Sequence, residues 1–179
     1  MSKELEHLRF PVGRMQYNGP MDEVTRSQYI EAIAQLPAQM RAKVEQLSEA
    51  QLQTPYRPGG WTPQQVVHHV ADSHMNSIIR FKLGMTEDTP TIKPYRQSEW
   101  ANLSDSLELP VEVSLNLLDA LHHRWVTLLR SFKPSDWQRE VFHPEMKRNI
   151  TLDFLLALYE WHGRHHVGHV DLVLQSSST

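Results

Sequence analysis

Histidines at the C-terminal end of the chain are the residues whose spacing most directly suggests chemistry. Four of them, His162, His165, His166 and His169, fall within eight residues. A helix over this segment puts His162, His166 and His169 on one stripe with apolar residues, while His165 lies to the side. Imidazoles on a buried face are costly unless their nitrogens have partners, and a metal ion would be such a partner.

Within this group, His162 and His166 are the strongest pair of candidate ligands. Residues four apart are neighbours on a helix surface, so both imidazoles can bind one cation. Such a pair on an apolar face is typical of helical zinc sites. For each histidine alone, the alternative is a structural role with hydrogen-bonded nitrogens. Gly163 stands where a metalloprotease helix of the His-Glu form carries its general base, which argues against that chemistry.

A second group of histidines lies in another segment with helical periodicity. His69 falls at the edge of its apolar face and His68 points away from that face, so His69 is the better ligand candidate. His74 is interpreted as a core histidine with a hydrogen bond. Asn76 and Arg80 lie on the same side as His69 and are candidate contacts for an anionic substrate group. An arginine near a helix C-terminus is also commonly a solvated charge.

The composition narrows the possible chemistry. The 179 residues contain no cysteine and carry a formal net charge of −3. Zinc or nickel must therefore be held by imidazole, carboxylate or water, and any thiol must come from a substrate. The charge gives no attraction to nucleic acid. A charged N-terminus and the absence of a long apolar run predict a cytoplasmic protein that binds no membrane.

Helical periodicity and start signals predict four long helices. They are expected at about residues 22–47, 62–84, 110–132 and 152–174. Thr62 and Thr151 are the expected N-caps of the second and fourth helices. The sequence thus predicts an all-α four-helix bundle with a long crossover between helices 2 and 3, forming one domain over residues 1–179.

The connecting segments are expected to be mostly irregular. Residues 1–21 are predicted to form an arm that lies on the body. Residues 86–109 are predicted to form a crossover or a lid, in which Tyr95 and Trp100 are candidate substrate contacts. A short helical turn from Pro134 and a possible hairpin are expected before the fourth helix.

Two motifs carry a family resemblance. They are Gly60-Trp61-Thr62 followed by Val67-His68-His69-Val70-Ala71-Asp72, and later His162-Gly163-Arg164-His165-His166-Val167-Gly168-His169. In this order, they resemble the DinB-like superfamily of four-helix metal enzymes, and within it the YfiT group of metal-dependent hydrolases. The resemblance implies a metal held by His69, His162 and His166, with His68 as the alternative to His69. It also implies a homodimer.

The implied activity is hydrolysis of a small molecule by one Zn²⁺ or Ni²⁺ per subunit. Three imidazoles leave an open position on zinc, so metal-bound water would be the reactive group and no catalytic side chain is assigned. Thiol S-transferases in the family suggest an alternative, in which the metal stabilises the thiolate of bacillithiol. A third possibility is a non-catalytic binding module with a closed four-ligand site, completed by His169 or a carboxylate.

Overall fold

The structure is a computed structural model that describes residues 3–176, and it is built mainly of helices. Its helices are α1 (Lys3–Arg9), α2 (Glu23–Val44), α3 (Glu49–Leu52), α4 (Pro63–Thr86), α5 (Gln97–Trp100), α6 (Ser104–Glu108), α7 (Val111–Arg130) and α8 (Leu152–Ser176). A 3₁₀ turn (Asp136–Gln138) and two strands, β1 (Glu140–His143) and β2 (Arg148–Thr151), lie between α7 and α8.

The four long helices α2, α4, α7 and α8 form a bundle. Helix α2 packs against α7 and α8, and α4 packs against the same two, so α2 and α4 lie on a diagonal. Neighbours α4 and α7 run parallel, because His68 contacts Ser114 near their starts and Phe81 contacts Phe132 near their ends. The chain must therefore return along the bundle between them. The predicted bundle with a long crossover between its second and third helices is confirmed, and the crossover also contains the short helices α5 and α6.

Local sequence signals fix where the two histidine-bearing helices begin. The Thr62 side chain accepts a hydrogen bond from the backbone of Gln65, and the Gln65 side chain accepts one from the backbone of Thr62. This capping box satisfies two backbone donors at the start of α4. At the start of α8, the Thr151 hydroxyl accepts from the backbone N–H of Phe154 at 3.0 Å. Both predicted N-caps are confirmed.

The predicted hairpin is also present. Strands β1 and β2 pair antiparallel, with Val141 opposite Ile150. The buried side chains of both residues belong to the apolar core. This hairpin leads directly into α8 and packs against the end of α4.

The N-terminal arm differs from the prediction in two respects. Residues 3–9 form helix α1, because Pro11 and Gly13 interrupt the chain only after them; Gly13 has a φ of +79°. The second respect is the extent of its contact with α8, where helical periodicity puts Asp153 on the side opposite the histidine stripe. Asp153 is fully buried, because the arm covers that face and the Asp153 carboxylate accepts from the Tyr17 hydroxyl at 2.9 Å.

The core of the bundle consists of two apolar clusters, one built around Phe81 and Trp125 and one around Met40 and Leu118. On α8, all four histidines fall between Tyr159 of the first cluster and Val170 of the second, whereas His122 lies in the part of α7 that supplies the first cluster. None of the helices within residues 3–176 combines the length and hydropathy that crossing a membrane requires. Residues 1, 2 and 177–179 lie outside the described part, and the single domain over residues 1–179 stays a prediction.

Candidate metal centre

The side chains of His69, His162 and His166 converge. One ring nitrogen from each lies within 4.8 Å of those of the other two. Nε2 of His69 lies 3.3 Å from Nε2 of His162. Two nitrogens that bind one tetrahedral zinc at about 2.0–2.1 Å are themselves about 3.3 Å apart, so this spacing fits a shared ion. The structure brings together the three residues predicted to be ligands, and their ligation stays a prediction.

A chain of buried imidazoles determines which nitrogen His162 presents to the cluster. Nδ1 of His122 lies 2.7 Å from the carbonyl of Ile33, which can only accept, so this nitrogen carries the proton. Neutral His122 then accepts at Nε2 from Nδ1 of His74 at 2.8 Å. His74 in turn accepts at Nε2 from Nδ1 of His162 at 3.2 Å. His162 is left with an unprotonated Nε2, as metal binding requires.

A shorter chain acts on His166 in the same way. Nε2 of His169 lies 3.3 Å from the carbonyl of Arg9, so it donates. Nδ1 of His169 then accepts from Nδ1 of His166 at 3.3 Å, which leaves Nε2 of His166 unprotonated. The ring of Tyr56 stacks on His169 at 3.9 Å and holds it in place. Because both its nitrogens are engaged, His169 orients His166 and does not offer a fourth ligand.

Burial keeps these rings neutral. It lowers the pKa of His69 to about 4 and holds the pKa values of His162 and His166 well below the ordinary 6.5. It also lowers the pKa of His122 to about 4 and that of His74 well below 6.5. Nearby histidines lower the pKa values of His69, His74, His162 and His166 further. At pH 7 the rings are therefore unprotonated on one nitrogen, the form that a metal ion needs.

The geometry also separates His68 from His69. Nδ1 of His68 lies 2.7 Å from the hydroxyl of Ser114, and its Nε2 lies 3.1 Å from the carbonyl of Leu109. Both ring nitrogens are thus engaged on the side of α7, away from His162. The structure favours His69 as the ligand on α4.

In the part of the chain that the structure describes, the groups of donors close enough to share a metal contain only histidine. The second such group is His165, His166 and His169. It shares His166 with the first group, and His169 has no free nitrogen. No carboxylate among the side chains that the structure describes, those of residues 5–176, completes either group, which disfavours the predicted alternative of a closed site.

His69, His162 and His166 line a cavity of about 520 Å³. Its walls include Arg9 and Phe10 from the N-terminal arm, together with Trp61. The indole of Trp61 lies 4.7 Å from the ring of His69, between centroids. The cavity gives a small molecule a route to the histidines, so the arrangement fits a metal centre with an open position.

A second cavity of about 430 Å³ also reaches His162, and two of the four candidate substrate contacts, Arg80 and Tyr95, line it. The other two line neither cavity. Asn76 donates to the carbonyl of Asp72 at 2.9 Å, and the ring of Trp100 packs on Tyr95 at 4.5 Å. Substrate contact stays a prediction for all four.

Sequence analysis missed two residues that the structure places at the site. His122 supports His74 from α7. The hydroxyl of Tyr159 accepts from Arg80 at 2.7 Å. Neither contact leaves a signal in sequence spacing, because the partners lie on different helices.

Comparison with models of known protein families assigns the chain to a superfamily. The model of the DinB superfamily matches residues 32–170. The chain belongs to the DinB superfamily. Two relatives, from Bacillus mycoides (strain KBAB4) and Bacillus cereus (strain B4264), are 51% and 49% identical to it over 166 residues. Each alignment covers 93% of this chain and 95% of the relative, and both relatives carry the name "Putative metal-dependent hydrolase".

Two solved structures are similar to this chain, and the first supports the assignment. YfiT from Bacillus subtilis is similar with a TM-score of 0.94 and 42% identity, over 96% of this chain and 98% of that one. It is described as "a probable metal-dependent hydrolase with an unusual four-helix bundle topology". A mycothiol-dependent maleylpyruvate isomerase is similar with a TM-score of 0.65 and 15% identity, over 84% of this chain and 67% of that one. That likeness shows a common fold alone. The resemblance to the YfiT type is confirmed.

Proposed function

We propose that this DinB-superfamily protein is a metal-dependent hydrolase that acts on a small molecule. The observation that carries the proposal is the convergence of His69, His162 and His166 at the floor of an open cavity. The names of the relatives from Bacillus support the same class of activity. We propose His69, His162 and His166 as the ligands of one divalent ion per subunit, and Zn²⁺ or Ni²⁺ suits imidazole donors.

The residues of the chain prepare this site for a metal. The hydrogen bonds from Ile33 through His122 and His74 fix the ring of His162, and those from Arg9 through His169 fix the ring of His166. When bound, the ion supplies Lewis-acid activation of water near neutral pH. Trp61 forms part of the cavity wall beside His69.

An esterase and amidase assay tests the proposal. The zinc-loaded protein is expected to hydrolyse an activated ester or amide, to lose this activity on chelation and to regain it on addition of Zn²⁺ or Ni²⁺. His162→Ala should abolish hydrolysis, whereas His123→Ala, at an exposed position on α7, should not. Zinc-loaded protein that hydrolyses no member of broad ester and amide panels would contradict the proposal.

The same assay separates the other predicted activities. Faster reaction of a low-molecular-weight thiol with a chlorinated aromatic than hydrolysis by water would select the thiol S-transferase. Stoichiometric metal without either reaction would select the non-catalytic binding module. The homodimer, the cytoplasmic location and the thiol partner stay predictions.

A further inference from the structure

Arg80 is a buried cation that has no acidic partner among the side chains the structure describes. Its residue surface is only 9% exposed. The ion pairs within residues 3–176 are all formed by other residues. Charged side chains are seldom buried without a counter-charge, because removing a charge from water is costly. The buried guanidinium of Arg80 therefore needs an anion as its counter-charge, and the described residues do not supply one.

The hydrogen bonds of Arg80 orient its guanidinium but leave its charge uncompensated. Nη1 donates to the hydroxyl of Tyr159 at 2.7 Å, and Nη2 donates to the carbonyl of Lys93 at 3.2 Å. Both acceptors are neutral. These bonds use two of the five N–H groups of a guanidinium, whose planar fork matches the oxygens of a carboxylate or phosphate.

The cavity of about 430 Å³ leads from Arg80 to the candidate metal centre, because His162 lies in its wall. Ser73 also lines it, with its hydroxyl 3.5 Å from Nε2 of His162. Of the two acidic residues in the lining, Glu99 is exposed and pairs with Arg96, and Glu145 is exposed. The buried part of the wall thus carries one positive charge, that of Arg80.

The remaining buried groups of this wall are hydrogen-bond donors or neutral rings. Burial raises the pKa of Tyr95 to about 12 and also raises the pKa of Tyr159, so both hydroxyls keep their protons. Burial lowers the pKa of His143, which favours its neutral form. The wall offers donors to an oxyanion and no buried carboxylate to repel it.

We propose that this cavity binds the anionic end, a carboxylate or a phosphate, of a substrate whose reacting group lies at the histidine cluster. The second half of this statement rests on the proposed hydrolase function. The first half does not, because anion binding at Arg80 needs no turnover. The substrate class is therefore a small ester or amide that also carries an anionic group. The anionic group and the bond to be cleaved are separated by the distance from Arg80 to the histidine cluster.

The test is a binding titration on protein treated with EDTA, so that a probe cannot bind through a metal. Benzoate and phenyl phosphate supply the two anions, and benzamide is the neutral match. At least one anion should bind at least tenfold more tightly than benzamide, as followed by backbone amide shifts near Tyr95 and Tyr159. Arg80→Gln should weaken that binding at least tenfold. Arg130→Gln, an equal charge change at an exposed residue outside the cavity, should change it less than twofold.

Anions that bind no more tightly than benzamide, or equally well to wild type and Arg80→Gln, would overturn the anion site. If Arg80→Gln does not fold, Arg80→Lys is the second variant, because it keeps the positive charge and lacks the planar guanidinium. Unchanged anion binding in Arg80→Lys would overturn a contact in which two N–H groups of Arg80 bind two oxygens of the anion. The hydrolase assay is read separately. Anion binding without hydrolysis would defeat the proposed function and the placement of a reacting group at the histidines, but not the anion site. Hydrolysis without anion binding would defeat the anion site alone.

Discussion

At the scale of residues, the candidate metal centre depends on which nitrogen each histidine presents. Each chain of imidazoles ends on a backbone carbonyl, that of Ile33 or that of Arg9. A carbonyl can only accept, so it sets the position of every proton along its chain of neutral rings. The unprotonated Nε2 atoms of His162 and His166 follow from these two ends. Orientation of a ligand by such contacts typically affects metal affinity strongly.

The first prediction concerns His122, which has no place in the ligand set. His122→Phe removes the acceptor for Nδ1–H of His74, so His162 is no longer held in one tautomer and orientation. We expect zinc affinity to fall by up to about tenfold, the lower end of the usual effect of removing a direct partner of a ligand, because His122 acts on His162 through His74. Competition with a chromophoric chelator measures it.

His123→Phe is the matched control, because His123 is the next residue and is exposed. It should leave zinc affinity unchanged. Equal affinities in the two variants would show that the imidazole chain does not support the site.

Sequence spacing could predict that the candidate ligands converge, but not which residues orient them. His162 and His166 are separated by one helical turn on a single helix, so their proximity follows from periodicity alone. The preference for His69 over His68 followed from the apolar face of α4. The contact of His122 with His74 joins two helices, and it requires their axial alignment, which no local pattern contains.

At the scale of elements, the N-terminal arm is tied to α8 by a buried carboxylate. Asp153 is fully buried. It accepts from the backbone of Met21 at 2.8 Å and pairs with Arg26 at 3.1 Å. Because the arm also supplies the Arg9 carbonyl to His169, its attachment contributes to the candidate site.

The second prediction is that Asp153→Ala lowers the free energy of unfolding by about 3–5 kcal/mol, since it leaves Arg26 and a backbone N–H without their partner. Urea unfolding measures the change. Asp171→Ala, which removes a partly exposed ion pair with Lys43, should cost about 1 kcal/mol or less. Similar losses in both variants would show that Asp153 does not anchor the arm.

The residues at which the helices start could be predicted from the sequence. The packing of the N-terminal arm on one face of α8 could not. The Thr62 capping box and the Thr151 cap are local signals, and both are present in the structure. The arm has weak periodicity, so its path over α8 could not be read from it. For this reason the periodicity of α8 alone could not predict that the fold buries Asp153.

At the scale of the whole molecule, a layer of neutral histidines from α4, α7 and α8 is buried beside the two apolar clusters of the bundle. Such a layer makes stability depend on pH. A histidine whose pKa is lower in the folded state binds more protons when unfolded, so its contribution is lost as pH falls below about 6.5. Asp72 acts with the opposite sign, because burial raises its pKa to about 6.

The third prediction follows from His122, whose pKa is lowered to about 4 by burial. In EDTA, the free energy of unfolding should fall from pH 7 to pH 5, and His122 alone would account for about 2 kcal/mol of that fall. Urea unfolding at both pH values measures it. His122→Phe should show a smaller fall than the wild type. A free energy that is equal at pH 7 and pH 5 in the wild type would contradict the neutral layer.

The central claim is that one imidazole from α4 and two from α8 hold a single metal ion, and the pair His69→Ala and His68→Ala tests it most directly. Both variants remove a buried imidazole from adjacent positions of α4. The measurement is zinc bound per folded chain, by elemental analysis after dialysis, with helix content checked by circular dichroism. We predict one zinc in wild type and in His68→Ala, and none in His69→Ala, His162→Ala or His166→Ala. Zinc retained by His69→Ala and lost by His68→Ala, or retained by all four variants, would contradict the account.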